Sequence, residues 1–79
     1  MRTPRDIFGR ELADHLLRRW DYREERQAGS HIILRTDIPT GQTLPIPAHK
    51  PLRTGTLIAI VRMVAAHKDV TRDDILRDL

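Results

Sequence analysis

Four histidines, His15, His31, His49 and His67, are the residues of this 79-residue, cysteine-free chain best suited to acid–base chemistry. His31 has the most telling surroundings. It follows Gly29 and Ser30, between a polar run from Tyr22 to Gln27 and the apolar Ile32-Ile33-Leu34. Glycine supplies the permissive backbone of a tight turn, and serine can tie that turn with its hydroxyl. The histidine then opens a strand at a position that contributes little to a core. An imidazole changes charge near neutral pH, so one held at a turn is well placed for proton transfer. RNA is one substrate on which such an imidazole could act, since it carries its own nucleophile, the 2′-OH beside each phosphate. Cleavage needs that proton removed, the phosphorane charge stabilised and the leaving 5′-oxygen protonated. Taken alone, a Gly-Ser-His tripeptide describes equally well a turn histidine hydrogen-bonded to backbone.

The other polar residues are read against that possibility. His49 follows Ile46-Pro47 and could be a second acid or base, a phosphate ligand or a loop cap. His15 accompanies Leu16 and Arg19 on a helical pattern and is expected at a solvated or boundary position. His67 falls near a helix end, where an imidazolium suits the negative pole of the dipole. The histidines show no metal-ligand spacing and no carboxylate cluster accompanies them, so no metal is expected. Lys50 and Arg53 flank Pro51-Leu52 ahead of a helix, whose N-terminal amides could join them in one phosphate site. Arg35 shares strand parity with His31 and should project from the same face. Arg26 lies on the preceding strand. Each cation alone is an ordinary surface charge; the cluster says more than its members.

Composition agrees with an anionic partner. The net charge is +3 and the pI near 10.2. The basic excess is nearly all arginine, whose planar fork suits phosphate and stacks on bases. A chain of this size supports one domain, 1–79, with helices in a single layer on a small sheet. Its site should be a surface groove, with no small-molecule cofactor. The longest apolar run, Leu57 to Val61, is too short to span a bilayer, and the N-terminus has no apolar leader segment. These features predict a cytoplasmic protein without a membrane partner.

The elements that must position these residues follow from periodicity. Leu12, Leu16 and Leu17 form one face of a helix from about Gly9 to Arg19, with Asp21 available for a left-handed stop. Ile32 to Thr36 and Thr43 to Pro47 are expected strands, as is Tyr22 to Gln27, where local propensity would allow helix but Gly29 and the β-branched run after it suggest a hairpin. Pro45 and Pro47 lack amide donors, so the strand bearing them should be an edge or should pair through its other side. Thr54 or Thr56 should cap a second helix reaching about Ala66, with Leu57, Ile60, Val61 and Val64 as its core stripe. Thr71 to Asp74 resembles a capping box opening a short helix with Ile75, Leu76 and Leu79. The expected fold is α+β, a dsRBD-like α-β-β-β-α arrangement with a short C-terminal helix. Helices would cover one face of a three-stranded antiparallel sheet, over a core of Leu12, Leu16, Leu17, Leu44, Ile46, Leu57, Ile60, Val61 and Val64.

In order along the chain stand Gly9-Arg10-Glu11-Leu12, Arg26-Gln27-Ala28-Gly29-Ser30-His31, Ile46-Pro47-Ala48-His49 and Gly55-Thr56-Leu57. This series, from about Gly9 to about Ala65, resembles the HicA family of small toxin ribonucleases, the mRNA interferases of toxin-antitoxin pairs. The resemblance implies a metal-independent endoribonuclease with His31 as the catalytic residue. It implies mRNA as substrate, and a HicB-like antitoxin that covers the active face. Arg26, Ser30, Arg35, His49, Lys50 and Arg53 are the expected RNA contacts. Many family members carry a second histidine directly after the first, where this chain has Ile32. The alternatives are a non-catalytic RNA-binding module of the same fold, and a decayed toxin retained only for a protein contact.

Overall fold

The computed structural model describes residues 7–48 and 51–79, so the expected lead-in at 1–6 and two candidate site residues, His49 and Lys50, lie outside the described residues. The first helix, α1 (Gly9–Arg19), buries Leu12, Ala13 and Leu16 on the face their spacing predicts, with Leu17 half-buried beside them. Arg18 and Arg19 occupy its last turn, where cations complement the dipole. Asp21 takes the left-handed conformation, φ 64°, and ends the helix as expected of an aspartate there. Tyr22 then turns inward and is buried, so the first strand begins one residue later than expected.

The strands β1 (Arg23–Ala28), β2 (His31–Thr36) and β3 (Gln42–Pro47) form an antiparallel sheet in that order. Gly29, at φ 58°, makes the tight connection between the first two. A bulge between Glu24 and Arg26 breaks the β1–β2 register, and it disrupts the otherwise free edge of β1. The proline-bearing β3 forms the opposite edge. Alternation along β2 decides which residues see the core. Ile32, Leu34 and Thr36 are buried toward the helices, whereas His31, Ile33 and Arg35 occupy the other face. Ile33 is only 8 % exposed yet stands outside the core cluster.

The second helix, α2 (Thr54–Lys68), runs two residues past the expected end and stops at Asp69, also left-handed at φ 58°. Its N-cap is Arg53, not Thr54 or Thr56. The Arg53 carbonyl already accepts the first helical bond, from Leu57 N–H at 2.9 Å. Both threonines are therefore inside the first turn, and no side chain caps it. The short α3 (Arg72–Leu76) does open on the expected capping box. Asp74 N–H donates to Thr71 Oγ1 at 3.1 Å, and Thr71 N–H donates to the Asp74 carboxylate at 3.0 Å.

One cluster unites α1, the inner sheet face, α2 and α3, and it contains Ile7, Tyr22, Ile32, Leu34, Leu52 and Ile75 besides the residues expected from the helical stripes. His15 belongs inside it. Expected at a boundary, it is 2 % exposed because α3 covers that side of α1. Its Nε2–H donates to the Ile75 carbonyl at 2.8 Å. No helix among the described residues is long and apolar enough to cross a membrane.

Candidate functional site

His31 is the first residue of β2 and is exposed, because the Gly29-Ser30 turn places it at a corner of the sheet and its parity points it away from the helices. It is flanked by Ala28 on β1 and by Pro47 on β3. Arg26 pairs with Ile33 and so lies diagonally across from His31 on the same open face. Side chains in that relation are separated by about 7–8 Å, close enough to engage one phosphodiester. Among the described residues, neither the His31 ring nor the Arg26 guanidinium has a hydrogen-bond or ion-pair partner. An imidazole free at both nitrogens is available to take or give a proton.

Arg35 shares the face of His31, as its parity predicts, but it does not join that corner. Four residues along a strand cover about 13 Å. Its guanidinium turns to Asp37, 3.1 Å away, and to Thr43 Oγ1 at 3.2 Å, and it packs over Gly41. Arg23 reaches the same Asp37 carboxylate at 2.8 Å. Hydrogen bonding from Arg23, then Arg35, holds the Asp37 carboxyl below its ordinary range. Arg35 is thus an internally neutralised cation at the far end of β2.

Ser30 is exposed in the turn, and its carbonyl accepts Ala48 N–H at 2.8 Å, prolonging the β2–β3 pairing past Pro47. This bond carries the chain from β3 toward α2. Arg53 follows, exposed at the N-cap of α2 and without an acidic partner among the described residues. A shallow recess of about 200 Å³ lies here, lined by Pro47, Pro51, Leu52, Arg53 and Thr56. Because Pro47 is the register partner of His31, the recess and the imidazole share one end of the sheet. The uncapped first-turn amides of α2 open at that end as well.

Three of the expected contacts, Arg26, Ser30 and Arg53, therefore accompany His31, whereas Arg35 stands apart. No group of three or more histidine, aspartate or glutamate side chains among the described residues is arranged to hold a metal ion. Sequence reasoning passed over one conspicuous residue at this end. Phe8, the N-cap of α1, is 46 % exposed and pairs through its backbone with Pro51. The available signal was its place immediately before a helix, where a small polar side chain is favoured.

The fold and this corner define an α+β protein with helices on one side of a three-stranded antiparallel sheet and, on the other, an imidazole unpartnered among the described residues. Residues 9–66 match the family described as the HicA toxin of bacterial toxin-antitoxin, and the chain belongs to that family. The match takes in α1, the sheet and α2 as far as Ala66, leaving α3 beyond it. No curated protein and no solved structure matches the chain.

Proposed function

We propose that this chain, acting as a single domain in the cytoplasm, is an endoribonuclease that cleaves mRNA without a metal ion, with His31 as its catalytic residue. The observation that carries the reading is the exposed, unpartnered His31 at the Gly29-Ser30 turn of a HicA-family chain. In the reaction His31 accepts the 2′-OH proton as the 2′-oxygen attacks the adjacent phosphorus. The P–O5′ bond breaks, and a proton passes to the departing 5′-oxygen. The products are a 2′,3′-cyclic phosphate and a free 5′-hydroxyl. General acid–base help of this kind supplies roughly 10²–10⁴-fold in rate. Arg26, diagonal to His31, and Arg53 with the first-turn amides of α2 supply positive charge for the phosphorane. Ser30 would contact the RNA backbone at the turn. His49 and Lys50, in the segment between Ala48 and Pro51, are proposed phosphate ligands from their positions in the sequence. Arg35 is a weaker candidate, since binding RNA would require it to leave Asp37.

As a toxin, the protein would be held inactive by a HicB-like antitoxin covering the open sheet face around His31. The deciding experiment incubates the purified chain with a single-stranded transcript in the presence of a chelator. Cleavage to cyclic-phosphate ends between about pH 6 and pH 8, the range in which an imidazole titrates, is the expected result. RNA that is retarded by the protein but never cut would replace this reading with a pure binding module. A chain that neither binds nor cuts RNA, yet captures the product of an adjacent gene, would leave only the protein contact.

A further inference from the structure

Phe8 is placed in a way that folding alone does not favour. The three aromatic residues of the chain are Phe8, Trp20 and Tyr22. Tyr22 is in the core and Trp20 packs against it, while the Phe8 ring is 46 % exposed. Phe8 is also the N-cap of α1, where serine, threonine, asparagine or aspartate would accept an orphan helix amide. A phenyl ring accepts nothing. At this cap the Phe8 N–H donates to Glu11 Oε1 over a long 3.4 Å, and the Glu11 N–H turns back to the Phe8 carbonyl at 3.1 Å, so backbone stands in for the missing side-chain acceptor. The position therefore forgoes a side-chain cap and leaves apolar surface in water, which suggests a use for the ring.

Its location supplies one. Leu52 N–H donates to the Ile7 carbonyl at 2.7 Å, and Phe8 bridges to Pro51, so the segment before α1 is strapped to the segment before α2. Directly after Phe8, Gly9 lies so close to Pro47 that a Cβ there would sit 1.6 Å from the Pro47 carbonyl oxygen. Pro47 in turn is the register partner of His31. Phe8 is thus fixed at the end of the sheet that carries the imidazole, beside the recess bordered by Arg53. An exposed aromatic ring near a cation without an acidic partner among the described residues, here Arg53, is a pairing that grips single-stranded nucleic acid, with bases stacking and phosphates neutralised.

Resting on the nuclease reading above, we infer that Phe8 is a stacking platform for an unpaired base of single-stranded RNA near the bond presented to His31. Glu11 is held by its bond to the Phe8 amide, and the cation at the recess, Arg53, favours the polyanion over an apolar protein segment. Double-helical RNA, whose bases are already stacked within the duplex, would gain nothing from the ring.

The test measures binding of a fluorescent single-stranded oligoribonucleotide to the full chain carrying His31→Ala, so that cleavage does not intervene. In that background, Phe8→Ala and Phe8→Leu should each weaken binding by roughly 5- to 100-fold, and Phe8→Trp should preserve it. Leucine keeps apolar bulk at this position without a stacking face, so it separates stacking from hydrophobic contact, and thermal melts confirm that each variant is folded. A duplex of the same sequence should be indifferent to all three changes. Equal single-strand affinity for the leucine variant and the parent would overturn the inference. So would a Phe8 effect confined to capture of a protein partner. If the wild-type chain cuts no RNA while Phe8 still governs single-strand affinity, the nuclease reading falls and the platform stands. If cleavage proceeds but the leucine variant binds like the parent, the platform alone falls.

Discussion

The Nε2–H of His15 and the carbonyl oxygen of Ile75 meet at 2.8 Å inside the protein, joining α1 to α3 across sixty residues of chain. Since a carbonyl only accepts, the contact fixes the tautomer with the proton on Nε2. This bond secures the part of the chain beyond the matched family segment. Replacing His15 with leucine removes the donor and leaves a carbonyl near the core without it. Such a loss costs about 1–3 kcal/mol. In a chain of this size that should lower the melting temperature by several degrees, at roughly 4–8 °C per kcal/mol. Calorimetry checks it, and an unchanged melt would mean that the His15–Ile75 bond adds nothing to global stability.

Gly9 and Gly55 should respond oppositely to alanine. A Cβ on Gly9 would collide with the Pro47 carbonyl, which is backbone and cannot step aside, whereas a Cβ on Gly55 meets nothing within 4 Å. Gly9→Ala should therefore destabilise by about 2 kcal/mol or more, as overpacking does. Gly55→Ala should be neutral or stabilise by up to about 1 kcal/mol, by restricting the unfolded chain. Urea midpoints of the two variants make the comparison directly.

Alkali should weaken the fold through Tyr22. Burial pushes its phenol up to about 12 from an ordinary value of 10.0. Its hydroxyl also donates to Gln42 Oε1. Between about pH 10 and pH 12 the unfolded chain releases this proton while the folded one keeps it, so stability falls as pH rises through that window. The contribution is on the order of 2 kcal/mol. The Lys68 ammonium, 4.8 Å from the Tyr22 ring centre, is lowered by burial and works in the opposite sense. Comparing the alkaline stability slopes of the wild type and Tyr22→Phe isolates the phenol. The variant should lose the steep decline, and identical slopes would contradict the assignment.

Much of this fold was legible because it follows from period and punctuation. Leu12 and Leu16 announce α1, Gly29 the hairpin, and Asp21 the helix stop. The prolines of β3 allow an edge or pairing through its other side, and it occupies an edge. What escaped depended on distant packing. His15 carries no mark of the helix that buries it, because α3 lies sixty residues away in sequence. Nothing local distinguishes Arg53 from Thr54 as the cap of α2, since the start is set by where the chain leaves Pro51-Leu52 for the core. At the candidate site, strand parity correctly put Arg35 on the face of His31. It did not foresee Asp37, two residues on, which draws the guanidinium away. Arg26 proved the nearer cation because the register pairs it with Ile33, a relation that no residue spacing displays.

His31→Ala gives the most direct test of the chemistry proposed for this corner. The ring is exposed and unpartnered among the described residues, so its removal takes no hydrogen bond from them and little packing from the fold. The expected cost in stability is within about 0.5 kcal/mol, as for other surface changes. Cleavage, by contrast, should fall by roughly 10²-fold or more, since no other described histidine approaches the corner. His15 is sealed against Ile75, and the His67 Nε2–H donates to the Thr40 carbonyl at 2.8 Å, at the opposite end of the sheet. Arg26→Ala and Arg53→Ala should act differently. Each removes a cation, so each should weaken RNA binding and flatten its salt dependence by about one phosphate contact. Measuring cleavage, melting temperature and salt slope on the three variants separates the roles. A folded His31→Ala protein with full activity would move the chemistry to another residue. A variant that fails to fold would make the histidine structural.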